Sequence, residues 1–336
     1  MQIAATIVPT SGFMTIISWF AFLLMVAQLE AFVPSSLQPC RLSPLELYAN
    51  NIGVCDVESV KNLRPVVPGS TLYRSATLDD LTEEDAEKLL SGSAFETTTG
   101  KPLAMVIDLR NADEIRKGKK VRTKGSQIFY DSPGVEFLTI PVLENVDAFW
   151  DEAIATMDAG ERVMATLRTA FVGGALDRAA ARHLEQGGIP LLYALMMKTG
   201  GQPLGLALEA CLRVSSSSDG GPVIFHCQKG KDRTGVLAML LQTCLQADNN
   251  DAEIVDAYAL SGELLGELPN QSKESDGASS STSALDWSYF RGSPAEAMKD
   301  TLSWTRGQYG SVEGYMDTLS FGKEKRDELK RCYQQQ

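Results

Sequence analysis

The chain has 336 residues, of which 44% are hydrophobic, and a formal net charge of −12 at neutral pH. It can therefore bury a full core, and its length suits one α/β domain with appendages. The acidic balance argues against a general nucleic-acid binder, whose affinity rests on neutralising backbone phosphates, and six cysteines in a chain this long do not make a disulfide framework.

The first 29 residues carry no charge, and Phe13 to Ala27 forms an apolar block of 15 residues. That length suits a signal-peptide core better than a bilayer span of about 20 residues. Residues 1–31 are accordingly expected to be a signal peptide and 32–60 a leader or transit-like segment. Ala31-Phe32-Val33-Pro34 resembles the start of the transit segment in algae with complex plastids, so secretion and such a plastid are both open destinations. No Lys or Arg precedes the apolar block, and the small-residue pattern at Ala27 and Ala31 is loose. An uncleaved membrane anchor is the rival reading. Cys40 and Cys55 could pair in an oxidising compartment.

Leu81 to Leu90 opens with Thr82-Glu83-Glu84-Asp85, a helix cap followed by an acidic first turn. Ser91 to Pro102 reads as a polar connector. Leu103 to Leu109 (LAMVIDL) and Phe137 to Val142 read as strands. Val163, Leu167 and Phe171 recur at helical spacing, which predicts an amphipathic helix over Ala153 to Ala170 covering the site or the sheet. His183, within Leu176 to Gln186, is expected to be an ordinary helix residue, with no metal-ligand partner at a useful spacing. Ile254, Tyr258, Ser261 and Leu265 mark another helix. Residues 270–283 (NQSKESDGASSSTS) form a low-complexity insertion.

The densest chemistry lies in Val223-Ile224-Phe225-His226-Cys227-Gln228-Lys229-Gly230-Lys231-Asp232-Arg233-Thr234-Gly235. Pro222 to Phe225 suits a parallel strand buried on both faces, and Gly235 to Leu245 is apolar almost all round, as an enclosed helix would be. Between them the backbone must reverse, so successive N–H groups can converge on one point beside a helix N-terminus, which binds a dianion. Thiols placed beside such termini ionise more readily than free cysteine. Arg233 can give two parallel hydrogen bonds to phosphoryl oxygens. Gln228, Lys229, Gly230 and Lys231 complete the expected substrate cradle, with the two lysines adding cationic charge.

These parts fit attack of Cys227 on phosphorus, a phosphocysteine intermediate and its hydrolysis by water, with no metal and no other cofactor. Thr234 can donate its hydroxyl to the departing sulfur, and His226 orders the loop. A general acid is worth about 100- to 10,000-fold. Asp232, inside the loop, and Asp108, at the end of a strand where parallel sheets present ligand-binding groups, are the two candidates. Asp147 and Asp151, near Trp150, come third. Asp108 and Arg110 could equally form a structural ion pair. Cys244 lies ten residues beyond Thr234, about 15 Å along the helix, too far to bond Cys227. Cys211 could approach it.

The loop HCQKGKDRTG resembles the HCxxGKDRTG signature of the atypical protein-tyrosine/serine phosphatases of bacteria, fungi and algae, which are similar to bacterial triple-specificity phosphatases. The resemblance extends to Pro68–Ala76 (PGSTLYRSA), to Val106-Ile107-Asp108-Leu109-Arg110 followed by Glu114, and to the downstream segments Asp256–Ser261 and Tyr309–Tyr315. It implies Cys227 as nucleophile, Arg233 as phosphate ligand, Asp232 as an acid built into the loop, Lys231 as a contact for acidic lipid headgroups, and a helical lid. Gln228-Lys229 departs from the family pattern, which has a small or aromatic residue followed by alanine, and this leaves the preferred substrate open.

The expected fold is α/β, a mostly parallel central sheet flanked by helices, with a tyrosine-phosphatase-like catalytic domain over residues 61–333. The expected substrates are phosphotyrosine or other phosphoprotein esters, with phosphoinositides as the alternative, and contact with a membrane only through an uncleaved leader or a lipid substrate. A catalytically silent phospho-binding module using the same cradle is the reading from another class. Intact Cys227, Asp232 and Arg233 disfavour it.

Overall fold

The computed structural model describes residues 53, 55, 57–95, 100–246, 251–267 and 285–334. The signal-peptide expectation, most of the leader, Cys40 and the 270–283 insertion lie outside the described residues. Among the described residues no helix is long and apolar enough to cross a membrane.

Five short strands form one sheet: β1 (Arg64–Pro65), β2 (Leu72–Ser75), β3 (Met105–Asp108), β4 (Glu136–Thr139) and β5 (Val223–His226), in the order β1-β2-β5-β3-β4. All neighbouring strands are parallel except the β1–β2 pair. β5 is therefore central, which explains why every residue of VIFH is buried. The two faces alternate along it. Val223 and Phe225 join Leu72, Met105 and Ile107 in one apolar cluster, and Ile224 joins Tyr73 and Val106 in another. A parallel sheet covered on both faces needs such unbroken apolar strands.

Helices clothe both faces. α1 (Glu83–Ser91) starts where the sequence places it, with the Thr82 hydroxyl accepting from the Asp85 amide at 3.1 Å. α2 (Ala112–Lys119) follows β3 directly and opens on a capping box between Asn111 and Glu114. α3 (Lys124–Tyr130) leads into β4. Past β4 come α4 (Val146–Thr156), α5 (Ala159–Thr169), α6 (Ala175–Thr199) and α7 (Gly201–Ser215). After β5 the chain forms α8 (Arg233–Leu245), α9 (Asp251–Leu264), a short 3₁₀ turn (Trp287–Phe290), α10 (Ala295–Tyr309), α11 (Val312–Thr318) and α12 (Lys323–Gln334).

The single helix expected over Ala153 to Ala170 is instead two. Met157 adopts extended backbone and Asp158 caps α5 by accepting from the Gly160 and Glu161 amides, so the chain restarts there. Nor does α5 cover the sheet. It packs on α6, buries only Ala165, and leaves Val163, Leu167 and Phe171 in solvent. Helical periodicity identifies an apolar face but not what that face meets. α6 itself bends at Gly188, whose φ of 57° and ψ of −151° interrupt the helix two residues before Pro190. Only glycine adopts that conformation without strain.

Candidate active site

The carboxyl ends of β2, β3 and β5 lie in register, with Ser75, Asp108 and His226 side by side. From this edge the chain turns through Cys227 to Asp232 into the first turn of α8. The turn is fixed from outside. Arg74 Nη2 donates to the Gly230 carbonyl at 2.8 Å. Asn62 Nδ2 donates to the same carbonyl at 2.8 Å and to that of Lys229 at 3.2 Å. The Thr77 amide donates to the Gln228 carbonyl at 3.1 Å. With three successive carbonyls held outward, the loop's N–H groups are directed the other way. Among the described residues no backbone N–H from Gln228 to Gly235 has an acceptor. Such an array, ending at the N-terminus of α8, is a nest for an anion.

Gly230 is indispensable to this shape. Its φ is +66°, and a Cβ there would stand 2.2 Å from the Ser75 carbonyl oxygen. The loop and β2 are thus in backbone contact.

Cys227 is buried at the start of the loop and Thr234 stands in the first turn of α8, its buried hydroxyl oxygen without a partner among the described residues. Arg233 is held by Glu114 in a two-pronged pair, Nη1 to Oε2 at 2.5 Å and Nη2 to Oε1 at 2.7 Å. Burial opposes its charge, but the Glu114 hydrogen bonds and then the neighbouring Cys227 charge outweigh it and raise the Arg233 pKa. Burial likewise pushes the Glu114 carboxyl up, and the bonds from Arg233 overcome this and hold it below its ordinary value. Glu114, like Tyr193 and Asn62, is a residue that sequence reasoning left out of the site. Its signal was present in Asn111-Ala112-Asp113-Glu114, since the capping box fixes the start of α2 and so aims the Glu114 side chain at the loop.

Asp232 Oδ1 accepts from Tyr193 of α6 at 2.8 Å and from Lys231 Nζ at 2.6 Å, and about a quarter of its side chain (27%) stays exposed. The Tyr193 oxygen also lies 3.1 Å from the Tyr258 hydroxyl, which donates to it because the single Tyr193 proton is committed to Asp232. Burial and then the Asp232 charge raise the Tyr193 phenol well above its ordinary value, so it remains a donor. Lys231 is turned inward, almost wholly buried, and bonded as well to the Phe290 carbonyl. Lys229 is half exposed and paired with Glu267 at 2.5 Å. The Gln228 side chain is exposed.

Asp108 faces Arg110. Its two oxygens accept from the Arg110 amide, Nε and Nη2 at 2.8 to 3.1 Å, and Arg110 also pairs with Asp79. Burial would raise the Asp108 carboxyl, but the His226 and Arg110 charges and hydrogen bonds hold it below the usual range. Asp147 and Asp151 are exposed on α4. His226 is fully buried, with Nδ1 3.4 Å from the Cys227 carbonyl oxygen and Nε2 3.8 Å from Asp108. His183 meets the Thr156 hydroxyl at 3.1 Å. Cys211 and Cys244 are both buried, and burial pushes each thiol up to about 12. Among the described residues, no group of three or more His, Cys, Asp or Glu side chains could hold a metal ion.

Residues 56–335 match the model of a family described as the tyrosine phosphatase family. A tyrosine-protein phosphatase of Nostoc commune is 34% identical over 131 residues, an overlap of 35% of this chain and 40% of that protein. The chain thus spans less than half the length of this relative.

Two outcomes follow from the geometry. Gly230→Ala should cost roughly 2 to 4 kcal/mol, from the left-handed backbone and the collision with β2, read as a lower midpoint in urea denaturation. Burial lowers the His226 pKa against the opposing charge of Asp108. The unfolded ring, with its ordinary pKa of about 6.5, binds the proton that the native ring refuses. Stability should therefore fall as pH drops below about 6.5. His226→Asn should flatten the thermal midpoint between about pH 6.5 and 5, above the range in which carboxylates titrate.

Proposed function

Since the chain belongs to the tyrosine phosphatase family, we propose that it hydrolyses phosphomonoesters through a phosphocysteine formed on Cys227. The observation that carries this reading is the outward fastening of the Gln228, Lys229 and Gly230 carbonyls. It leaves the amides of the loop that follows Cys227 to receive a phosphoryl group.

In the first step the Cys227 thiolate attacks phosphorus and the ester oxygen departs. The loop amides and Arg233 carry the charge that builds on the equatorial oxygens, a stabilisation worth most in a water-excluded site. Arg233 is held flat by Glu114, so little reorganisation is needed when phosphate arrives. Asp232 is the acid that protonates the leaving oxygen, because its side chain is partly exposed at the loop. Tyr193 and Lys231 fix its direction. Asp108 suits that role poorly, since Arg110 occupies both of its oxygens and keeps it ionised. In the second step Asp232 takes a proton from the attacking water, and Thr234, whose hydroxyl has no other partner among the described residues, donates to the departing sulfur.

Phosphotyrosine or other phosphoprotein esters remain the preferred substrate class. The lysines that suggested an acidic lipid headgroup are otherwise engaged, Lys231 with Asp232 and Phe290, Lys229 with Glu267. The N-terminal segment supports the further proposal that the chain enters the secretory pathway, which a fusion of residues 1–60 to a fluorescent reporter would test.

Cys227→Ser should lower kcat by at least about a thousandfold, by loss of the nucleophile, while inorganic phosphate still competes for binding in a direct titration. Near-normal turnover would remove the mechanism. Asp232→Asn should slow aryl phosphates with poor leaving groups about 100-fold or more and activated ones much less. Equal losses across a leaving-group series would assign the acid elsewhere.

A further inference from the structure

Eleven large hydrophobic residues are notably exposed among the described residues, and five of them fall within ten positions: Val163, Met164, Leu167, Phe171 and Val172. Each is at least half exposed, and Phe171 reaches 90%. Val163, Leu167 and Phe171 share one face, and Met164 and Val172 border it on the side of the α6 groove. Val163, Leu167 and Phe171 are spaced four apart, Met164 lies beside them, and the helical turn continues past Thr169 because the Phe171 and Val172 amides both donate to the Arg168 carbonyl. Solvent exposure of such a contiguous stripe is unfavourable and marks an interaction surface.

The charge around it is unlike the rest of the molecule. α5 with its cap and the first two turns of α6 carry Arg162, Arg168, Arg178 and Arg182 against Asp158, Glu161 and Asp177, a local excess of positive charge in a chain whose net charge is −12. Arg168, Arg178 and Arg182 line a groove of about 260 Å³ between the two helices, next to Met164 and Val172. Neither Arg168 nor Arg182 has a carboxylate partner among the described residues. An apolar ridge flanked by unpaired guanidinium groups is the pattern of a helix that lies in a membrane interface.

We propose that α5 and the adjoining start of α6 dock on an anionic membrane surface, with Val163, Leu167 and Phe171 entering the headgroup boundary and the arginines meeting lipid phosphates. Anionic lipid repels the rest of this acidic chain, so the cationic face also sets the orientation of approach. A second copy fits the surface less well, because its arginines would meet their own kind. The proposal rests on residues outside the catalytic loop and stands whether or not Cys227 is the nucleophile.

The test is peptide-resolved amide hydrogen exchange on the full chain, with vesicles of phosphatidylcholine alone or mixed with phosphatidylserine. Exchange over residues 159–173 should slow several-fold with the mixed vesicles only, and high salt should reverse it. Because the readout is local, vesicle binding through the apolar N-terminal segment is distinguished from docking of α5. Leu167→Glu with Phe171→Glu, and separately Arg168→Glu with Arg182→Glu, should abolish the slowing at 159–173 while the thermal midpoint stays unchanged. Three results would each overturn the proposal. These are no slowing with mixed vesicles, equal slowing with pure phosphatidylcholine, or slowing that appears without vesicles as protein concentration rises, which would indicate self-association or a protein partner.

Discussion

The direction of three carbonyl groups governs this molecule. A loop of six residues between a strand and a helix has as many acceptors as donors, and it becomes an anion receptor only if its acceptors are turned away. Arg74, Asn62 and the Thr77 amide do this for Gln228, Lys229 and Gly230. They come from β2 and the segments on either side of it, which is why β2 must lie next to β5 and why Gly230 must lack a side chain. Both buried arginines of this region, Arg64 and Arg74, also bond the Ser261 hydroxyl of α9, so the second half of the fold is tied to the same support.

A second layer places the charges. The parallel register sets Asp108 and His226 together at the sheet edge, and Arg110, which also pairs with Asp79, balances the Asp108 charge there. α2 then begins at once, and its capping box carries Glu114 to Arg233. On the opposite side α6 brings Tyr193 to Asp232. The loop thus receives one partner from each flanking helix, and Asp232 and Arg233 are oriented by groups that lie more than thirty residues away in sequence. A buried ion pair of this kind contributes orientation more than net stability, because desolvation offsets much of its attraction.

Much of this was legible in the sequence. The mostly apolar runs Leu103 to Leu109 and Pro222 to Phe225 read as strands, and strands lie within or across them, while HCQKGKDRTG announced both the turn and the helix that follows. Thr82 was legible as a cap because capping is a contact between neighbours in sequence. What escaped was a local cap hidden within a helical period, together with the contacts between distant segments. The Met157-Asp158 break depends on a cap that lies inside an unbroken helical period, and the apolar stripe of α5 reads the same whether it meets a core or a solvent. Lys231 looked like a cation at the mouth of the loop, yet its neighbours Asp232 and the Phe290 carbonyl draw it inward. Glu114, Tyr193 and Asn62 acquire their roles only when the sheet brings distant segments together.

The central claim is that sulfur 227 becomes covalently phosphorylated inside this cradle. Acid quenching during turnover of an aryl phosphate, followed by peptide mass spectrometry, examines it directly. The account predicts a single phosphoryl adduct on the peptide containing Cys227, absent before substrate is added and lost on further incubation. Steady turnover with no adduct there, or an adduct on another residue that forms and decays at the catalytic rate, would contradict it.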